Sequence, residues 1–349
     1  MNFQIATILL QDGIATGAVY AMLALGFVLV FTTTRIIFAS YGDLIAYAAL
    51  TLHSLQQNAL PGTVYLLIVL ALIATGVECI SKFRQGEYQD IPRAVAIWLV
   101  LPLCPALISY LVQGVALNSY FQVMLAIALV VPIAPLLYRI VFQPVETAST
   151  LALLIVALVL HYLISGLALM FFGPEGARTT ALFRGFFHVF GLNISYQVIA
   201  VVVVAILMAV TLASFFGFSL SGKALRATAL NRNGARLVGI STHRSGSTAF
   251  ILAGVIASIV GILIAPTVTI YYDSGLMIGL KGFVGAVLGG FVSYPLATIG
   301  SIIIGILESY SSFFASSSKE IIVFIAIIPI ILLRTFITPQ HMEEEEEVA

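Results

Sequence analysis

Residues 198–213 and 151–160 carry no charge and are apolar on every side of a helix, and stretches of this kind recur along the whole chain. A helix that is hydrophobic all round is either buried deep in a protein or spans a bilayer. Composition decides between the two. Only 9% of the 349 residues are charged and 61% are hydrophobic, against roughly 25% charged in a soluble domain, and the mean hydropathy is +1.12. Such a chain cannot cover its surface in water. A membrane β-barrel would alternate apolar and polar residues in segments of about ten, which these runs do not. The remaining fold class is all-α: a polytopic helical membrane protein with one transmembrane domain over residues 1–338 and an acidic cytoplasmic tail at 339–349.

The net charge is zero, which gives no basis for a nucleic-acid partner, and membrane lipid is the expected surrounding. Cys79 and Cys104 lie in apolar stretches on different expected helices and read as small apolar fillers. The first 34 residues contain neither Lys nor Arg, so the start lacks the positive region of a cleaved signal peptide and is expected to be retained.

Hydropathy divides the chain into about eleven helical segments, some too short to span. The first crossing covers residues 13–31, with Gly13 and Gly17 spaced for close helix contact. After Arg35 comes a short mixed stretch, and Asp43 opens another apolar helix to about residue 55. Further crossings are expected at 64–80, 94–112, 120–138, 151–172, 196–216, 247–265 and 321–333. Prolines 102, 105, 132 and 135 are expected to kink two of them. Residues 173–195 form the longest exterior loop, and two short Gly-rich helices are expected at 281–291 and 296–310.

Residues 222–244, GKALRATALNRNGARLVGISTHR, hold five of the fifteen Lys and Arg residues and no acid. A loop this basic between two crossings belongs on the cytoplasmic side, which makes 222–246 the key cytoplasmic loop. Within it Asn231 caps a short helix, Gly239 ends it, and Arg232, Arg236 and Leu237 project from it. Threading from this loop puts eleven basic residues inside against Arg178 and Arg184 outside, with the N-terminus outside and the C-terminus inside. It also gives residues 13–52 and 250–291, each a helix, a break and a small-residue helix, opposite directions. Inverted repeats with broken helices mark substrate paths in transporters.

No HExxH, CxxC, GxSxG or P-loop sequence is present, so zinc chemistry and ATP hydrolysis of the usual kinds are not expected of this chain. Asp43 either caps a helix at the interface or lines a translocation path. The run from Lys281 through Gly282, Gly285, Gly289 and Gly290 bares one helix face, for helix contact or for close passage of a small substrate. Lys281, expected at the start of that helix, needs a partner there, with Asp43, Asp273 and a ligand carboxylate as candidates. His161, alone among apolar neighbours, reads as a neutral group bonded to another helix or as a proton relay. Glu78 and Glu308 are expected near helix ends at the interface.

The run GKALRATALNRNGARLVGI resembles the cytoplasmic loop of permease subunits of the branched-chain amino acid (Liv-type, H-like) ABC transporters, where G-[RK]-A-[LM]-R-A precedes A-x-L-x-G-I. GLKGFVGAVLGGFVSYPLATIGSIIIGILES is similar to that family's late motif, and IIFASYGDLIAYAAL to its early F-A-x-G-[DE] break. The resemblance implies coupling to an ATPase through Arg226, Asn231, Arg232, Ala235, Arg236, Leu237 and Gly239. It implies a path lined by Phe38, Ser40, Gly42, Asp43, His161, Lys281, Gly282, Gly285, Gly289 and Gly290. There are departures: the first break is one residue longer, residues 65–118 hold two helices beyond the usual number, and residues 151–160 lack the family's small polar residues.

The function implied is a permease subunit of an ATP-driven importer of branched-chain or related hydrophobic amino acids in the cell inner membrane. Its expected partners are a second homologous permease, two cytoplasmic ATP-binding subunits carrying the ATP and Mg, and an extracytoplasmic substrate-binding protein. No cofactor is expected in this chain. Amide or urea import by the same machinery, and an ion-coupled secondary transporter, stay open.

Overall fold

The computed structural model describes residues 3–189 and 192–337; the acidic tail lies outside the described residues. Among the described residues eight helices are long and apolar enough to cross a membrane. The chain is a helical membrane protein, as its composition requires.

Helix α1, Phe3–Thr34, is longer at both ends than hydropathy alone suggests. At 1.5 Å per residue it spans about 48 Å, more than the ~30 Å of a hydrocarbon core. Its end is marked by Thr32, Thr33 and Thr34, whose hydroxyls donate to carbonyls one turn back. Arg35 then leaves the helix with φ +61°. Helix α2, Tyr41–Gln56, follows after six residues. Helices α3, Thr63–Gln85, α4, Tyr88–Leu111, α5, Ser119–Val145, and α6, Thr150–Phe172, complete the first half. Helix α4 contains Pro102 and Pro105 and widens to π-helical turns at Ala96–Val100; α5 contains Pro132 and Pro135 and does so at Tyr138–Phe142. Such wide turns are one way in which a proline-containing helix absorbs its lost hydrogen bonds.

A β-hairpin pairs β1, Phe186–Val189, with β2, Leu192–Ser195, inside the long loop at 173–195. Then come α7, Tyr196–Phe218, α8, Leu220–Leu230, α9, Arg232–Leu237, and α10, Thr242–Ile264. The basic loop is thus a helical hairpin running from residue 220 to residue 241, and residues 242–246 already belong to α10. Helices α11, Ser274–Leu288, α12, Tyr294–Phe314, and α13, Lys319–Ile337, close the chain.

The core is built on α1, α2, α10, α11 and α12. A Cβ on Gly13 would meet Ile306 Cα at 2.6 Å, and one on Gly17 would meet Ile302 Cα at 2.7 Å. The two glycines therefore let α1 lie backbone to backbone on α12, as their spacing predicts. In element order, α1, a break at 35–40 and α2 are matched in the second half by α10, a break at 265–273 and α11. The starts of the two short helices meet, with Gly42 against Gly275 and Gly279.

The segment between α6 and α7 fastens these pieces. Ala177 pairs with Ile270 in both backbone directions, and Arg178 donates to the Pro266 and Thr267 carbonyls at 2.9 and 3.2 Å. His53 Nδ1 lies 3.0 Å from the Arg178 carbonyl, and the Thr180 amide donates to Gln56 Oε1 at 3.0 Å.

Candidate coupling and translocation sites

The basic hairpin is ordered by its own sequence. Ser219 caps α8 by accepting from the Gly222 amide at 2.9 Å, and Asn231 caps α9 by accepting from Gly234 at 2.7 Å. Gly239 ends α9 with φ +84°, a conformation that costs an L side chain and suits glycine. Ala235 is buried. Arg226 lies over the Phe216 ring at 5.9 Å. Thr228 donates to Ser245 at 3.1 Å, which holds α8 on α10.

Arg232 and Arg236 are tethered, although the Arg236 side chain stays 47% exposed. Both turn back onto Glu146, just beyond α5, with Nη2 to carboxylate distances of 2.8 and 3.2 Å. His243 Nδ1 approaches the same carboxylate at 3.3 Å. A loop with five basic residues and no acid needs counter-charge, and Glu146 is the sole acid in residues 139–150; that signal was in the sequence, unread. What projects is apolar: Leu230, Leu237 and Val238 are 87%, 88% and 75% exposed.

At the junction of the short helices, Asp43 lies in the first turn of α2 and is 2% exposed. His161 Nδ1 on α6 is 2.9 Å from both Asp43 oxygens. Ser40 donates to the Ala157 carbonyl at 2.8 Å, so the break is fixed to α6 at two points. Phe38 sits among Phe142, Phe250 and Tyr41. All four of these sequence-derived positions are buried together.

The Gly-rich face of α11 makes helix contacts along its length. Gly282 lies against Leu23, Gly285 against Ser301, and Gly289 against Ala297, where a Cβ would come within 2.7 Å. Gly289 and Gly290 follow the helix, Gly290 with φ +63°. Lys281 is corrected in two respects. It sits in the middle of α11, because the helix begins at Ser274, so no N-terminal dipole opposes it. Its partners are Glu308 at 2.5 Å and Glu320 at 3.1 Å, with neither Asp43 nor Asp273 in reach of a salt bridge. Glu308 lies inside α12, buried, and also accepts from Tyr20 at 2.5 Å. Glu78 is likewise not a bare interfacial group: Arg139 binds it at 2.6 Å.

Two cavities flank α1 toward its opposite ends. One, of 420 Å³, is lined by Lys281, Glu308, Glu320, Lys319 and Asp12 together with Thr16, Tyr20, Thr267 and aliphatic side chains. The other, of 620 Å³, lies between α1, α7, α8 and the start of α12, with Arg35 and Arg226 among mostly apolar neighbours.

Residues 94–333 match the family of permease components of branched-chain amino acid transport systems. The chain belongs to this family. The permease is 27% identical over 292 residues to the high-affinity branched-chain amino acid transport system permease protein LivH of Salmonella typhimurium, spanning 81% of this chain and 94% of the relative. It is 28% identical to LivH of Escherichia coli over the same shares. It is 26% identical over 298 residues to the permease protein BraD of Pseudomonas aeruginosa, spanning 81% of this chain and 94% of that relative. A solved chain of PsaBC from Streptococcus pneumoniae in complex with Fab covers 95% of the permease and 92% of itself at 12% identity and a TM-score of 0.36, too distant to bear on the fold.

Proposed function

We propose that this chain is a membrane subunit of an ATP-driven importer that carries branched-chain amino acids across the cell inner membrane. The observation that carries this reading is the family match over residues 94–333, to which relatives described as branched-chain amino acid permeases add near-full-length similarity. The hairpin supports the coupling step. A short, doubly capped helix tied to α5 by charge and tipped with Leu230, Leu237 and Val238 has the form of a rigid knob for an apolar groove on a soluble partner.

In this reading two cytoplasmic subunits bind ATP and Mg, and each engages one permease through α9. A second homologous permease completes the membrane pair, and a binding protein delivers substrate at the face opposite the hairpin. The hairpin and the C-terminus are then cytoplasmic and the N-terminus is exterior. Asp43, His161, Ser40, Phe38 and the α11 glycines form the packed junction whose rearrangement opens the path.

Purification of the tagged chain from its own membranes tests this. ATP-binding subunits and a second permease are expected to copurify, and Arg236→Glu, which sets two carboxylates face to face at Glu146, is expected to abolish ATP-dependent leucine uptake. A chain that purifies alone, or leucine uptake that persists without ATP, overturns it. The buried Asp43–His161 pair gives the ion-coupled reading one specific footing; uptake that follows an imposed proton gradient and ignores ATP would establish that reading instead.

A further inference from the structure

The 420 Å³ cavity combines both signs of charge with an aliphatic wall. Its walls bring together two lysines, Lys281 and Lys319, and three carboxylates, Asp12, Glu308 and Glu320. The rest of the lining is largely branched aliphatic, including Val19, Val198, Val201, Ile264 and Ile278. We propose that this cavity is a binding station for a zwitterionic α-amino acid with an apolar side chain, entered from the face opposite the hairpin. The inference rests on the importer reading for its direction and names where in the permease the substrate is first recognised.

The chemistry of the walls carries the argument. A free amino acid holds an ammonium and a carboxylate a few bonds apart, and both must leave water together. A site that offers a single sign of charge leaves one of them stranded, at a cost of several kcal/mol in an apolar setting. Here both signs are already assembled. Lys281 holds Glu308 and Glu320 at 2.5 and 3.1 Å, and Tyr20 donates to the second Glu308 oxygen at 2.5 Å. Glu320 Oε2 is buried with no hydrogen-bond partner among the described residues. A buried acceptor without a donor is unfavourable, and an ammonium brought to Glu320 would satisfy it while Lys319 or Lys281 receives the carboxylate. The aliphatic wall then takes the side chain, at roughly 25 cal/mol for each Å² of apolar surface removed from water. The volume lies within the roughly 300–1,000 Å³ of small-molecule sites.

The cavity at the other end of α1 gives the contrast. Its charged lining is Arg35 and Arg226 and includes no acid among the described residues, so nothing in it pairs with an ammonium. The two ends of α1 therefore differ in whether they can pair with both charges of a zwitterion.

Alkylation tests the proposal. In a Cys79→Ser, Cys104→Ser background, Val198→Cys places a thiol on the cavity wall. Its reaction with a membrane-impermeant maleimide is followed in right-side-out vesicles containing the full chain and its partners. Leucine is expected to slow the reaction about tenfold. Leucinamide, which lacks the carboxylate, and 4-methylpentanoate, which lacks the ammonium, are expected to have no effect, and Glu320→Gln is expected to remove the protection by leucine. Ile278→Cys, on another part of the wall, serves if Val198→Cys does not reach the membrane. Vesicles that import leucine with ATP but show no protection at either position overturn the site and leave the importer reading standing. Protection without ATP-dependent import supports the site and overturns the importer reading instead. Equal protection by all three compounds shows a merely apolar pocket and overturns the zwitterion assignment.

Discussion

Glu146 is one carboxylate serving Arg232, Arg236 and His243. Charge-assisted bonds of this kind contribute about 1.5–3 kcal/mol each when shielded, and the two arginines are partly exposed, so the lower end applies. Glu146→Gln keeps the shape and removes the charge. It is expected to lower ATP-dependent uptake about tenfold, equivalent to ~1.4 kcal/mol, with the chain present in the membrane at its usual level by immunoblot. At Gly42 the constraint is steric. A methyl group there would collide with the Gly275 carbonyl, and overpacking of this sort costs about 1–3 kcal/mol. Gly166 on α6 faces open space, with nothing within 4 Å of a built Cβ. Gly42→Ala is therefore expected to lower the melting temperature in detergent, while Gly166→Ala leaves it unchanged or raises it.

Among the elements, α9 was the most legible from sequence. Asn231 and Gly239 bracket it as their capping chemistry dictates. The orientation of its arginines was not legible, because a cap fixes where a helix starts and says nothing of which distant acid its side chains reach. Helix α11 shows the opposite case. Its glycine spacing announced a bare face, but the start was placed seven residues late, at Lys281, because the real first turn, Ser274 to Met277, mixes polar and apolar residues and resembles the preceding break. Lys281 and Glu308 are 27 residues apart in sequence, which hides a pairing that only the packing of α11 on α12 creates. The exposed tip of α9 makes a prediction of its own. Leu237→Asp places a charge where an apolar contact is proposed and is expected to detach the ATP-binding subunits on purification while leaving the melting temperature of the isolated chain unchanged. Gly239→Val forces a β-branched residue to φ +84° and is expected to fail on both measurements, since it unravels the end of α9 itself.

For the whole molecule, hydropathy and charge were enough to give the class, since the bilayer restricts a chain to few choices; the about eleven segments expected compare with thirteen helices among the described residues, eight of them long and apolar enough to span. The two breaks, each followed by a small-residue helix, were also visible, because glycine and alanine cluster where helices must touch. The β-hairpin was not, being short and aromatic-rich inside a loop, and neither cavity was, since a cavity belongs to no single segment. The two cavities are lined by opposite ends of α1, and neither lining includes Asp43 or Gly275 of the packed junction, an arrangement suited to alternating access. Thiols introduced by Val198→Cys and Ala229→Cys in the cysteine-free background are expected to label from opposite sides of the membrane. During ATP turnover one is expected to react faster as the other slows. Labelling rates that rise or fall together would contradict this.

The strap formed by Arg178 and its neighbours bears on how force enters the protein. It grips the turn between α10 and α11 through the Pro266 and Thr267 carbonyls, and the end of α2 through His53 and Gln56. Both repeats are thus harnessed to one short piece of chain at the face opposite the hairpin. A push or pull applied to that piece is shared between them like the load on a yoke, and neither half can be drawn outward alone unless hydrogen bonds to the strap are broken first.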